Sequence, residues 1–116
     1  MQYMLLIYER ESDRSGWSET ERKAFFQEYM TFTQDISKGG YLRAGDALQP
    51  IATATTIRVR DGKTVTTDGP FAETREQLGG YYLVEAKDLD EAITIAARIP
   101  SARYGSIEVR PVQVYK

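Results

Sequence analysis

Residues Gln2–Tyr8 are apolar on both phases of an extended chain: Tyr3, Leu5 and Ile7 fall on one side, Met4, Leu6 and Tyr8 on the other. Such a run reads as a strand, and a strand with one wet face would alternate apolar with polar instead. Both faces of the sheet it joins are therefore expected to be covered. Glu9–Trp17 is polar and reads as a loop. Ser18 with Glu21 three residues later forms a capping box. Phe25, Tyr29, Phe32 and Ile36 then recur at the spacing of one helical stripe. Gly39-Gly40 ends that helix, Tyr41–Leu48 reads as a second strand, and Pro50 closes it.

Thr53–Arg60 sets Thr55, Ile57 and Val59 against Thr56, Arg58 and Arg60. Asp61-Gly62 and the run Lys63–Thr67 follow, and an Asp-Gly pair between two such runs predicts a hairpin. Asp68–Gln77 reads as a loop and Gly79–Ala86 as the next strand. Asp88 with Glu91 starts a second helix, its stripe of Leu89, Ala92, Ile93 and Ala96 running to Ile99 before Pro100 stops it. Ser101–Gly105 is a loop, and Ser106–Tyr115 is the last strand, with a phase shift across Pro111 that predicts a bulge or an edge position.

The order is therefore β-α-β, an inserted hairpin, then β-α-β, the ferredoxin-like α+β pattern. Both helices then cover one sheet face, and the other stays bare unless a partner covers it. The two-sided apolar character of Gln2–Tyr8 predicts a homodimer packed sheet to sheet into an α/β barrel. The alternative is that the hairpin folds over this face within one chain.

Composition narrows the chemistry. The 116 residues suit one domain, 1–116. The net charge of -2 argues against direct binding of nucleic acid. There is no Cys, which excludes thiol nucleophiles and Cys-ligated metals, and no His, which removes the usual general base and transition-metal ligand. No calcium-loop or phosphate-loop spacing is present, so neither metal nor cofactor is expected. Met4-Leu5-Leu6-Ile7 is too short for a signal-peptide core, and no apolar run approaches the ~18 residues that cross a bilayer. The expected location is cytoplasmic, away from membranes.

One stretch is more specific: Asp68-Gly69-Pro70-Phe71-Ala72-Glu73-Thr74-Arg75-Glu76-Gln77-Leu78-Gly79-Gly80-Tyr81-Tyr82. It resembles the signature of the DGPF proteins, grouped with the YCII-related family. Ala54–Lys63, Asp88–Ala92 and Gly105–Pro111 carry the same likeness, which spans about residues 1–115. The resemblance implies a ferredoxin-like domain that dimerises into an α/β barrel, in a bacterial family some of whose members are fused to, or neighbours of, extracytoplasmic-function sigma factors. An enzymatic role has been proposed in the wider family from a His–Asp pair. This chain has no His, so the pair is broken, and Asp68 is carried over as its Asp, the candidate catalytic residue.

Two readings of the loop stand side by side. Asp68, Gly69, Phe71, Glu73 and Arg75, with Tyr81 beside them and Arg43 on the second strand, form a small-ligand site, in which a buried carboxylate also moves a proton. Alternatively Asp68 caps a Gly69-Pro70 turn, Phe71 plugs the core, and Glu73 and Arg75 make an exposed ion pair. Arg43, Arg58, Arg60 and Arg110 either clamp a ligand carboxylate or pair across strands with Glu85 or Glu108. Asp46 beside Gly45 is either a second acid in the cavity or a turn residue. The strand tyrosines read as packing residues with the hydroxyl at an edge.

The function expected first is a small-ligand-binding or regulatory module of bacterial signalling, with a sigma factor as partner. The alternative is a cofactorless enzyme of isomerase, lyase or oxygenase type, acting on a small acidic or aromatic compound in the barrel. A purely structural interaction domain comes third.

Overall fold

The computed structural model describes residues 1–115. Strand β1 (Gln2–Glu9) leads through a short turn into helix α1 (Glu19–Lys38), then β2 (Leu42–Ala47), the hairpin strands β3 (Thr55–Arg60) and β4 (Lys63–Asp68), β5 (Gln77–Glu85), helix α2 (Leu89–Ala96) and β6 (Ser106–Pro111). Four strands make one antiparallel sheet in the order β2-β5-β1-β6, and β3 pairs with β4 alone. This is the ferredoxin-like α+β arrangement with an inserted hairpin.

The local rules account for the elements. Ser18 and Glu21 make the reciprocal capping box at the start of α1, and Gly40 at φ 81 turns the chain at its end, where Tyr41 N–H reaches the Ile36 carbonyl at 2.9 Å. Asp61 and Gly62 both have positive φ, 52° and 73°, as the tight hairpin turn demands. At α2 the capping differs from the expected box: Asp88 accepts from Glu91 N–H, but the Glu91 side chain returns to Lys87 N–H.

Phe32 and Ile36 of α1 and Ala92, Ile95 and Ala96 of α2 pack on Tyr3, Leu5, Ile7, Tyr82 and Val84, so both helices lie on one sheet face. Burying these side chains is the main source of stability. The other face carries Met4, Leu6, Tyr8, Tyr81 and Leu83, all half-exposed.

The hairpin does not fold over that open face. It projects as an arm, with Ile57 63%, Val59 60% and Val65 47% exposed, in a flat molecule of 49 × 48 × 19 Å. The strand and helix ends also shift by a residue or more, β5 starting at Gln77 instead of Gly79 among them. β1 runs one residue further, to Glu9. α2 ends at Ala96, and the chain through Ile99 turns instead of continuing the helix. The last strand stops at Pro111, short of Tyr115, because its partner β1 begins at Gln2, whose carbonyl takes the Val112 N–H at 2.9 Å.

Candidate functional site

β2 is where the sheet lacks side chains beneath α1. Register places Gly45 opposite Tyr82 and Ala47 opposite Gly80, all on the helix-facing side. The glycines are there because the backbones approach closely. A Cβ on Gly80 would stand 2.9 Å from the Asp46 carbonyl oxygen, and one on Gly45 2.7 Å from the Tyr82 ring. A consequence is an unfilled cleft of about 510 Å³ between α1 and the sheet. Its floor is Ile7, Gly80 and Tyr82, and its wall is Phe25, Tyr29 and Thr33 of α1. Phe26 and Met30 stand exposed at its rim, 66% and 41%, as apolar groups at a binding mouth do. Arg14 and Arg22 also line it.

Glu9 sits in this lining. On β1 it shares the phase of Tyr3, Leu5 and Ile7, so it points under the helices and is only 6% exposed. Its Oε1 accepts from Arg14 Nη2 at 2.8 Å and from Ser101 Oγ at 3.2 Å. Its Oε2 is buried and has no partner among the described residues. Ser101 is fully buried on the turn Pro100–Arg103 and lies 2.5 Å from Tyr29 Oη. That turn can pack against the end of β1 because Gly105 has no side chain: a Cβ there would overlap the Tyr8 carbonyl oxygen at 2.0 Å. Arg14 is further held over the Phe25 ring, 4.9 Å from its centroid, and Phe25 packs edge-on against Trp17 and Tyr29.

The phenols around the cleft resist ionisation. Burial pushes the Tyr29 hydroxyl up, with the Glu9 charge acting in the same direction against the Ser101 bond. Burial does the same for Tyr82, whose hydroxyl is 2.6 Å from Thr33 Oγ1. On the open face, the bond from Tyr81 Oη to Asp46 Oδ2 at 2.7 Å keeps Tyr81 protonated above its ordinary range. The site thus offers a buried carboxylate with one bare oxygen, an arginine against its other oxygen, and apolar walls. Such a set has the chemistry to accept a proton from a small molecule held against apolar walls.

The residues expected from sequence are distributed differently. Tyr81 and Asp46 border the cleft, with side chains on the open face by register. Asp68 ends β4, exposed; Gly69 turns at φ 94, its N–H on the Ala54 carbonyl at 2.7 Å. Phe71 is 78% exposed and does not plug the core. Glu73 and Arg75 are exposed, and no ion pair joins them among the described residues. Arg43 sits at a bulge in β2 and donates to the Gly40 and Leu42 carbonyls, while Arg110 pairs with Glu108 on its own strand. Asp68, Gly69, Phe71, Glu73, Arg75 and Arg43 are not among the residues that line the cleft.

Sequence reasoning misses Glu9, Arg14 and Ser101, and sees Tyr29 only as packing. The signals are present: Glu9 continues the buried phase of β1, and Gly45 and Gly80 interrupt strands.

The fold and cleft define a ferredoxin-like α+β domain with a ligand-sized cavity beneath its first helix. The chain belongs to the YCII-related domain family, whose model matches residues 1–116. An uncharacterized protein of Rhizobium meliloti (strain 1021) is 39% identical over 118 residues, covering 100% of this chain and 95% of that one. Among solved structures, the 5-chloro-2-hydroxyhydroquinone dehydrochlorinase of Burkholderia phenoliruptrix AC1100, in complex with 2,5-dihydroxybenzoquinone, superposes with a TM-score of 0.56 at 11% identity. The match covers 97% of this chain and 94% of that one, and it shows a common fold.

Proposed function

We propose that the chain is an enzyme acting, without metal or organic cofactor, on a small aromatic compound held beneath α1. The observation that carries this reading is the Glu9 carboxylate, buried in an apolar cleft with one oxygen bare. With no His and no Cys in the chain, a carboxylate is the natural proton acceptor. Arg14 and Ser101 hold it in place, and Phe25, Phe26 and Met30 supply the apolar contacts. The dehydrochlorinase of the same fold, named for a chlorinated hydroxyhydroquinone, supports the substrate class by analogy of fold alone.

The test is turnover of a panel of hydroxylated aromatic compounds and quinones in chelator-treated buffer, for the native chain and for Ala47→Phe, which fills the cleft. We expect turnover by the native chain and none by the variant. Binding without turnover would overturn the enzymatic reading and favour the regulatory module with its sigma-factor partner.

The assembly belongs to the same proposal: a homodimer packed through the open sheet face. Met4, Leu6, Tyr8 and Leu83 form an apolar surface there. The detached hairpin also supports it, since two strands alone are marginal in water. Phe71, in the motif loop, is a further large apolar side chain left exposed. Light scattering that shows a stable monomer at micromolar concentration would overturn the dimer.

A further inference from the structure

We infer that the cleft takes a ligand with a carboxylate on a flat apolar body, the carboxylate held by Arg14 and Arg22; this rests on the reading of the cleft as a binding site and names its substrate class. The two arginines come from the turn after β1 and the first turn of α1, and both line the cleft. Arg22 is exposed and Arg14 half-exposed, so the pair stands on the open side of the cavity. A guanidinium carries five N–H groups and no acceptor. Arg14 uses one nitrogen, Nη2, on Glu9 Oε1 at 2.8 Å. Arg22 directs Nε to the Trp17 carbonyl at 3.4 Å and Nη2 to the Arg14 carbonyl at 3.3 Å, both at the weak end of the range. Among the described residues, Nη1 of both arginines and Nε of Arg14 have no partner. The Thr33–Tyr82 pair in the same lining uses one of its two hydroxyl hydrogens and leaves the other for an acceptor. The cleft is therefore rich in donors, and the ligand that suits it brings acceptors.

Charge decides which acceptor. The charged residues of the lining are Glu9, Asp46, Arg14 and Arg22. Asp46 faces the other side of the sheet by register and accepts there from Tyr81. Beneath α1 this leaves two guanidinium groups and one carboxylate, and that carboxylate is already bonded to Arg14. The surplus is one positive charge, which attracts a monoanion and repels an ammonium group. A carboxylate also matches the planar fork of guanidinium N–H groups, which a single neutral carbonyl does not. The arginines are held for this. Arg14 lies over the Phe25 ring, 4.9 Å from its centroid, and the bond from Arg22 to the Arg14 carbonyl keeps the second guanidinium against the residue that bears the first. Phe26 and Met30 in the same lining face a flat body behind the carboxylate.

Calorimetry at neutral pH with 2-naphthoate, 2-naphthamide and 2-naphthylmethylammonium tests this, because the three share a body and differ in charge. We expect naphthoate to bind at least about tenfold tighter than naphthamide, since hydrogen bonds between charged partners are the strong ones. The ammonium compound is expected to bind weakest. Arg22→Gln alters an exposed side chain; it should cut the preference for naphthoate over naphthamide by about threefold or more and leave naphthamide affinity unchanged. Arg22→Lys should retain part of the preference. Equal binding of naphthoate and naphthamide by the native chain overturns the inference while leaving the cleft as a site. Tightest binding by the ammonium compound makes it a cation site and also overturns it. A preference that Arg22→Gln leaves intact overturns the paired arginines. Naphthoate binding that survives Ala47→Phe lies outside the cleft and overturns the inference as well. If none of the three binds, the reading of the cleft itself fails, and the inference with it. The comparison on the native chain stands whether or not a variant folds.

Discussion

Glu9 and Tyr29 are joined through one atom: Ser101 Oγ lies 3.2 Å from the carboxylate and 2.5 Å from the phenol. The serine comes from the far end of the chain and links the end of β1 to the middle of α1. Ser101→Ala removes both bonds and leaves a buried phenol without a partner, so it should cost about 2–3 kcal/mol. Tyr29→Phe removes one bond and its phenolic end, and should cost about 0.5–1.5 kcal/mol. Urea unfolding of the two variants checks the order.

Alkaline pH should destabilise the chain through its phenols. Tyr29, Tyr81 and Tyr82 are all raised above 10.0 in the folded state. A raised phenol leaves stability intact below the unfolded value and removes it as pH climbs towards the folded one. Melting temperature should therefore fall above about pH 10. Phenolate absorbance should show late-titrating tyrosines, one fewer in Tyr29→Phe.

Two adjacent glycines should respond differently to alanine. A methyl group on Gly79 would meet nothing within 4 Å, whereas one on Gly80 would meet the Asp46 carbonyl at 2.9 Å. Gly79→Ala should be within about 0.5 kcal/mol of the parent, and Gly80→Ala should cost about 1–3 kcal/mol by forcing β2 away from β5. Thermal melts of the pair decide it.

Asp68→Asn should leave stability unchanged. The carboxylate is exposed and no side-chain bond or ion pair is formed by it among the described residues. A melting temperature within about one degree of the parent is the expected result, as for surface substitutions generally. If turnover or binding nevertheless falls, Asp68 acts at a surface completed by a second copy, and the candidate role given to it by family resemblance gains support.

Neighbouring leucines on β1 separate folding from assembly. Leu5 is fully buried beneath the helices, while Leu6 is half-exposed on the open face. Leu5→Glu should prevent folding. Leu6→Glu should fold, keep its circular dichroism and scatter light as a monomer.

The fold is legible in the sequence because its punctuation is local. Ser18 with Glu21, Gly40 and Asp61-Gly62 each act within a few residues, and each leaves a mark in the sequence. The two phases of β1 then separate the residues that face the helices from those on the open side. The cleft is less legible because it is made by residues distant in sequence. Glu9 and Ser101 are 92 positions apart, and only the packing of a turn on a strand end brings them together. A charged residue usually ends a strand, so Glu9 reads as the start of a loop. The motif loop stands out by its composition, yet it lies outside the cleft lining.

The position of β1 has a consequence for how the chain is made. It leaves the ribosome before either of its sheet neighbours, Gln77–Glu85 and Ser106–Pro111, yet it lies between them in the sheet. Nothing synthesised before Gln77 can pair with it. Until Gln77 has emerged an apolar strand with two open edges waits for partners, the kind of segment that associates wrongly. Completion of the sheet thus waits for Ser106–Pro111 to emerge, and a product cut before Ser106 would leave one edge of that strand exposed.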